Sequence, residues 1–113
     1  MSSYNKIIKI LIKKKISISF AESCTGGQLC KLFTDVPGIS KILDMGLVTY
    51  SNKSKNIILN ITLKDLRKYG AVSEEIAILM VKNLKKISKS TLCISTTGIA
   101  GPSGGSKNKP VGL

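Results

Sequence analysis

Seven consecutive residues, Ala21-Glu22-Ser23-Cys24-Thr25-Gly26-Gly27, place two hydroxyls, a thiol and a carboxylate beside a pair of glycines. Ile16-Ser17-Ile18-Ser19-Phe20 comes before them, with apolar and small polar residues alternating. Gln28-Leu29-Cys30-Lys31-Leu32-Phe33, which suits a helix, comes after. The spacing predicts a strand, a tight glycine turn and a helix. Such a turn gathers hydroxyls and backbone N–H groups at a helix N-terminus, where partial positive charge favours a phosphate or a developing oxyanion. A nucleophile or an anion site is one reading; the other is an ordinary βα turn in which Ser23 or Thr25 caps the helix.

Two further polar segments sit at corresponding places. Tyr50 and the residues after it follow Gly46-Leu47-Val48-Thr49, a run of β-formers. Thr96-Thr97-Gly98-Ile99-Ala100-Gly101-Pro102-Ser103-Gly104-Gly105-Ser106 is a second glycine-rich loop, after the apolar run Thr91–Ser95. A loop of that length inside a compact domain is usually functional or disordered.

The elements that must position these segments are legible in outline. Ile7, Ile8, Leu11 and Ile12 share one helical face with lysines opposite, which predicts an amphipathic first helix. A strand is expected over Ile16–Phe20, turn chemistry at Asp35-Val36-Pro37-Gly38, a short helical turn over Ser40–Met45, and a strand over Gly46–Tyr50. Ser51 then caps a helix from about Asn52 to Leu59. Thr62, with Asp65 three residues on, opens a short helix that Gly70 closes. Ser73-Glu74-Glu75 is the clearest helix start, with Ile76, Ala77, Leu79, Met80, Leu84 and Ile87 as the buried face. Alternating strands and helices point to an α/β layered single domain with a mainly parallel sheet. Ligands of such sheets lie beyond the carboxyl ends of the strands, so all three polar segments should converge on one crevice.

Composition excludes much. The 113 residues contain no histidine, so neither a Ser-His-Asp triad nor a Cys-His dyad nor a histidine metal ligand can be built within the chain. Cys24, Cys30 and Cys93 have no CxxC spacing and are odd in number, which disfavours zinc and a disulfide framework and fits reduced thiols. The formal charge of +12 raises the question of nucleic acid, but the lysines are scattered apart from Lys13-Lys14-Lys15 and aromatics are only 4%. A nucleic-acid partner is therefore disfavoured. Lys9 and the lysine run interrupt the first apolar stretch, so a signal peptide, a transmembrane span and a membrane partner are not expected, and the protein reads as soluble and cytoplasmic.

Taken together, E-S-C-T-G-G at Glu22–Gly27, V-P-G at Val36–Gly38, V-T-Y-S-N-K-S-K at Val48–Lys55, G-A-V-S at Gly70–Ser73 and T-G-I-A-G-P-S-G-G at Thr97–Gly105 resemble the C-terminal domain of CinA. That family includes the stand-alone nicotinamide mononucleotide deamidases, and the resemblance runs from about Ile16 to the last residue. It implies a layered α/β/α fold and hydrolysis of the carboxamide of nicotinamide mononucleotide to nicotinic acid mononucleotide and ammonia, with no metal and no cofactor. It carries the nucleophile onto Ser23 and the base onto Lys55, with Tyr50 and Thr97 completing the polar site. Glycine chemistry adds the backbone near Thr25, Gly26 and Gly27 as an oxyanion hole, and Gly98, Gly101 and Ser103 as contacts for the ribose phosphate. Cys24 reads as a core residue or as a rival nucleophile, Glu22 as orienting Lys55 or capping a turn, and Met45, Met80 and Cys93 as packing residues. The family's domain continues past Lys109-Pro110-Val111-Gly112 into further strands and a closing helix. The chain is thus expected to lack its C-terminal elements, leaving a sheet edge and apolar faces that favour a homo-oligomer. The other function class in play is a nucleotide-binding or regulatory domain of the same fold without turnover.

Overall fold

The computed structural model describes residues 2–113. Its element order is α1 (Ser3–Lys13), β1 (Ile18–Glu22), α2 (Gln28–Thr34), a 3-10 turn (Ile39–Lys41), β2 (Leu43–Val48), α3 (Asn52–Leu59), α4 (Leu63–Tyr69), α5 (Glu74–Ser88) and β3 (Leu92–Thr96). The three strands form a parallel sheet in the order β2-β1-β3, so the first strand is central and both later ones are edges.

Being central, β1 is covered on both faces, and all five of its residues are buried. The small polar residue of the expected alternation that falls within β1 is buried with the rest. Ser19 is fully buried, and its hydroxyl pairs with that of Ser90 at 2.7 Å, so a polar residue occupies an inner strand with its hydrogen bond made. On one face Ile18 and Phe20 pack with Ile8, Val36, Ile39 and Ile42, drawn from α1 and the turn before β2. On the other, Ala21 packs with Leu59, Ile61, Leu66, Ile76, Met80 and Leu84 from α3, α4, α5 and their connections. Helices thus cover both faces of a parallel sheet, the layered α/β/α arrangement expected. Fully burying one side chain such as Phe20 contributes about 1.5–3 kcal/mol.

Helix starts and stops follow their caps. The Ser51 hydroxyl accepts from the Ser54 N–H in a reciprocal box, Thr62 accepts from Asp65, and Ser73 accepts from Ile76. Gly70 ends α4 as expected. Strand limits differ from the sequence expectation. Residues 16 and 17 precede β1, which runs on through Glu22, and β2 begins at Leu43 rather than Gly46. Pairing decides both, since β1 needs partners on each side, and Ile18 finds Leu43 on one and Leu92 on the other. The expected helical turn over Ser40–Met45 shrinks to Ile39–Lys41 because β2 claims the rest. At Gly46 an added Cβ would lie 2.6 Å from the Cys30 sulfur, so only glycine lets α2 approach β2 this closely. Ile7 and Ile87, expected inside, are exposed.

Candidate active site

The carboxyl ends of β1, β2 and β3 bring the three polar segments to one crevice. Ser23 follows β1 directly and is almost buried. Lys55 lies in the first turns of α3, where helix geometry directs a side chain back toward the N-terminus, here toward the end of β2. Its Nζ lies 2.9 Å from Ser23 Oγ, 2.9 Å from the Thr49 carbonyl and 3.0 Å from the Tyr50 carbonyl. The serine hydroxyl also lies 3.3 Å from the Tyr50 carbonyl.

The amine is fully enclosed, at 1% exposure, and no carboxylate pairs with it. Among the described residues the ion pair is Lys31 with Asp35, on the surface. Burial pushes the Lys55 ammonium below its ordinary pKa, and only the nearby Cys24 thiol opposes that fall. All three neighbours of Nζ are oxygens that accept from it. The amine donates to the Thr49 and Tyr50 carbonyls and to Ser23 Oγ, whose own hydroxyl donates to the Tyr50 carbonyl.

A cavity of about 320 Å³ opens over this pair. Ser23, Cys24, Tyr50, Lys55 and Thr97 line it, together with Gly98, Gly101 and Ser103 from the second glycine loop and Ala71 and Val72 from the segment before α5. Tyr50 is 70% exposed, and its carbonyl rather than its phenol meets Lys55. The Thr97 hydroxyl donates to the Ala71 carbonyl at 2.7 Å, which ties the end of β3 to the Gly70–Ser73 segment.

The structure does not bring Thr25, Gly26 or Gly27 into that cavity. The Gly26 N–H returns to the Ser23 carbonyl at 3.0 Å. The α2 terminus is occupied from within. The buried Glu22 carboxylate receives the Thr25 hydroxyl at 2.6 Å, the Leu29 N–H at 2.9 Å and the Cys30 N–H at 2.8 Å. Burial alone would raise the Glu22 pKa; the hydrogen bonds from Thr25, Cys30, Leu29 and Gly27 outweigh it and hold the carboxyl below its ordinary value. The helix start expected to hold an oxyanion thus carries an internal carboxylate cap at its positive end, and Thr25, Gly26 and Gly27 do not line the cavity. Glu22 caps α2 and does not touch Lys55. Cys24, read as core, lines the cavity beside Gly98. Met80 is buried, and Met45 and Cys93 pack partly buried against the same cluster. Thr96, which ends β3 within reach of the Ser23 N–H, and Ala71 and Val72, which supply cavity wall, lie in segments that the sequence singles out but to which it assigns no site role. Among the described residues no helix is long and apolar enough to cross a membrane.

The sequence profile of the CinA C-terminal domain family matches residues 2–113, so the match takes in α1 as well as the part from Ile16 onward. A putative competence-damage inducible protein of Caldanaerobacter subterraneus is 53% identical over 107 residues, covering 95% of this chain and 26% of that protein. A CinA-like protein of Fervidobacterium nodosum is 45% identical over 109 residues, covering 96% of this chain and 27% of that protein. The chain therefore spans about a quarter of the length of these curated relatives. Among solved structures, the competence/damage inducible protein CihA of Agrobacterium tumefaciens superposes with a TM-score of 0.92 at 36% identity, covering 100% of this chain and 71% of that one. The competence damage-inducible protein A of Klebsiella pneumoniae does so with a TM-score of 0.89 at 30% identity, covering 95% and 66%. A profile matched along all the described residues and a shared α/β/α fold place the chain in the CinA C-terminal domain family.

Proposed function

We propose that the chain is an amidohydrolase that deamidates nicotinamide mononucleotide to nicotinic acid mononucleotide and ammonia, with Ser23 as nucleophile and Lys55 as base. The observation that carries the reading is the enclosed amine 2.9 Å from the serine hydroxyl. A serine needs a base within hydrogen-bond reach, and a lysine serves only when burial lowers its pKa.

In this mechanism Ser23 Oγ attacks the carboxamide carbon while Lys55 Nζ takes the hydroxyl proton. The tetrahedral intermediate collapses as Lys55 returns that proton to the departing nitrogen, releasing ammonia and leaving an ester on Ser23. Water, deprotonated by the same amine, then cleaves the ester and restores the serine. The second glycine loop supplies anion contacts. The Gly98, Gly101 and Gly104 N–H groups donate no hydrogen bond among the described residues, and all three residues line the cavity. They suit a phosphate or a developing oxyanion. Tyr50, at the rim, offers a face for a pyridine ring.

Purified protein incubated with nicotinamide mononucleotide should release ammonia. Ser23→Ala should abolish that release without lowering the melting temperature, whereas Cys24→Ala should keep most of it. Full activity in Ser23→Ala would sink the nucleophile assignment; an inactive Cys24→Ala beside an active Ser23→Ala would move it to the thiol.

A further inference from the structure

Three side chains beneath the cavity form a closed line that the proposed reaction does not use. Glu22 Oε1 lies 2.6 Å from Thr25 Oγ1, Thr25 Oγ1 lies 2.7 Å from Thr96 Oγ1, and Thr96 Oγ1 lies 3.4 Å from the Ser23 nitrogen. The Ser23 N–H also donates to the Thr96 carbonyl at 3.0 Å, so it is shared between two acceptors of one residue. Glu22 and Thr96 face each other across the β1–β3 ladder.

The direction of this line is set at one end. An ionised carboxylate only accepts, so at 2.6 Å Thr25 must give its proton to Glu22. Thr25 then meets Thr96 only as an acceptor. The Thr96 hydroxyl donates to it, and a lone pair remains for the Ser23 N–H. Reversing any member would set two unprotonated oxygens against each other, next to a charge whose other contacts are all donors.

We propose that Glu22, Thr25 and Thr96 are positioning residues that fix the backbone of Ser23 through this one-way relay, and so hold its Oγ against an amine that is itself held by two carbonyls. The inference rests on Ser23 being the nucleophile of the proposed reaction. Lys55 is tied to the end of β2, whereas Ser23 is tied to the end of β3, so the distance between them depends on both anchors. Misplacing a reacting atom by about 1 Å costs on the order of a hundredfold in rate.

The test uses ammonia release together with labelling of Ser23 by an aryl sulfonyl fluoride, in which a serine sulfonate forms and fluoride leaves, read by mass on the Ser23 peptide. Thr96→Val keeps the shape and removes the hydroxyl. It should lower kcat and the labelling rate together by about tenfold to a hundredfold, with KM within about twofold, and Thr96→Ser should recover most of the loss. Thr25→Val should do the same, and the double variant should lose little more than either single one, because one broken link opens the whole line. Wild-type labelling in a cooperatively melting Thr96→Val, or losses that multiply in the double variant, would overturn the relay. Should Thr96→Val fail to fold, Thr25→Val against Thr25→Ser makes the same comparison. A wild-type protein that takes the label but releases no ammonia from nicotinamide mononucleotide overturns the substrate reading and leaves the relay to be judged on labelling. One whose Ser23 takes no label overturns both.

Discussion

Lys55 is the residue whose environment sets the pH behaviour. Its folded pKa lies below the unfolded value of 10.5, so between the two the unfolded chain binds the extra proton, and stability rises with pH across that window. The cost of enclosing the charge is fully present below the folded pKa and is gone above 10.5. The proposed catalysis has the same sign, because only the free amine can take the serine proton. We expect kcat/KM to climb with pH to a plateau whose midpoint lies below 10.5. Lys55→Met should remove both that climb and the matching slope of melting temperature against pH, while lowering kcat far more than it raises KM; an unchanged profile in the variant would place the titration elsewhere. Ser23 was legible as a type, a serine in a strand-turn-helix of a chain without histidine, whereas Lys55 was reached only through the family resemblance. What each atom does was less so. Tyr50 meets Lys55 through its carbonyl, which every residue possesses, and Thr25 is taken by a carboxylate that sequence spacing does not connect to it. Glu22 finds the Leu29 and Cys30 amides only after the chain has reversed at Gly26 and Gly27, both at positive φ.

Among the elements, α3 has the narrowest task. It is eight residues long and holds Lys55 one turn from its start, so the cap at Ser51 governs both the helix and the base. Ser51→Ala removes the hydroxyl that accepts from Ser54 N–H and should cost about 1 kcal/mol of stability. Fraying should reach Lys55 and lower kcat further than that loss alone explains. A melting curve and a kcat measured on the same variant check this, and a destabilised protein with wild-type kcat would show that the carbonyl grip on Nζ suffices. Helices with caps were the most legible elements, because Ser51, Thr62 and Ser73 announce themselves locally. Strand limits were the least, since β2 starts where β1 offers partners. The partner of the buried Ser19 hydroxyl was likewise out of reach of local reading, since Ser90 lies 71 residues away.

For the whole molecule, two packed clusters on either face of one sheet carry the stability. Met80 is fully enclosed in the cluster beneath α5, so Met80→Ala should cost about 2–5 kcal/mol in a denaturant titration. Ile87→Ala, on the exposed side of the same helix, should stay within about 0.5 kcal/mol; equal effects would contradict the packing described. The layered architecture was readable from the alternation of elements, but the central place of β1 was not, because strand order depends on which crossovers fit. That order has a consequence in time. Of the three strands a ribosome delivers β1 before β2 and β3, yet Ser23 leans on Thr96, 73 positions downstream, whereas its contact with Lys55 spans only 32. Ser23 and Lys55 can meet before β3 is made, but Ser23 acquires its seat against Thr96 only when β3 zips alongside β1. Long-range closure of this kind is slow and leaves a strand edge open while it waits. In the proposed reaction Ser23 is thus aligned only after β3 has paired, and a nascent fragment ending before β3 would carry Ser23 and Lys55 without the Thr96 anchor.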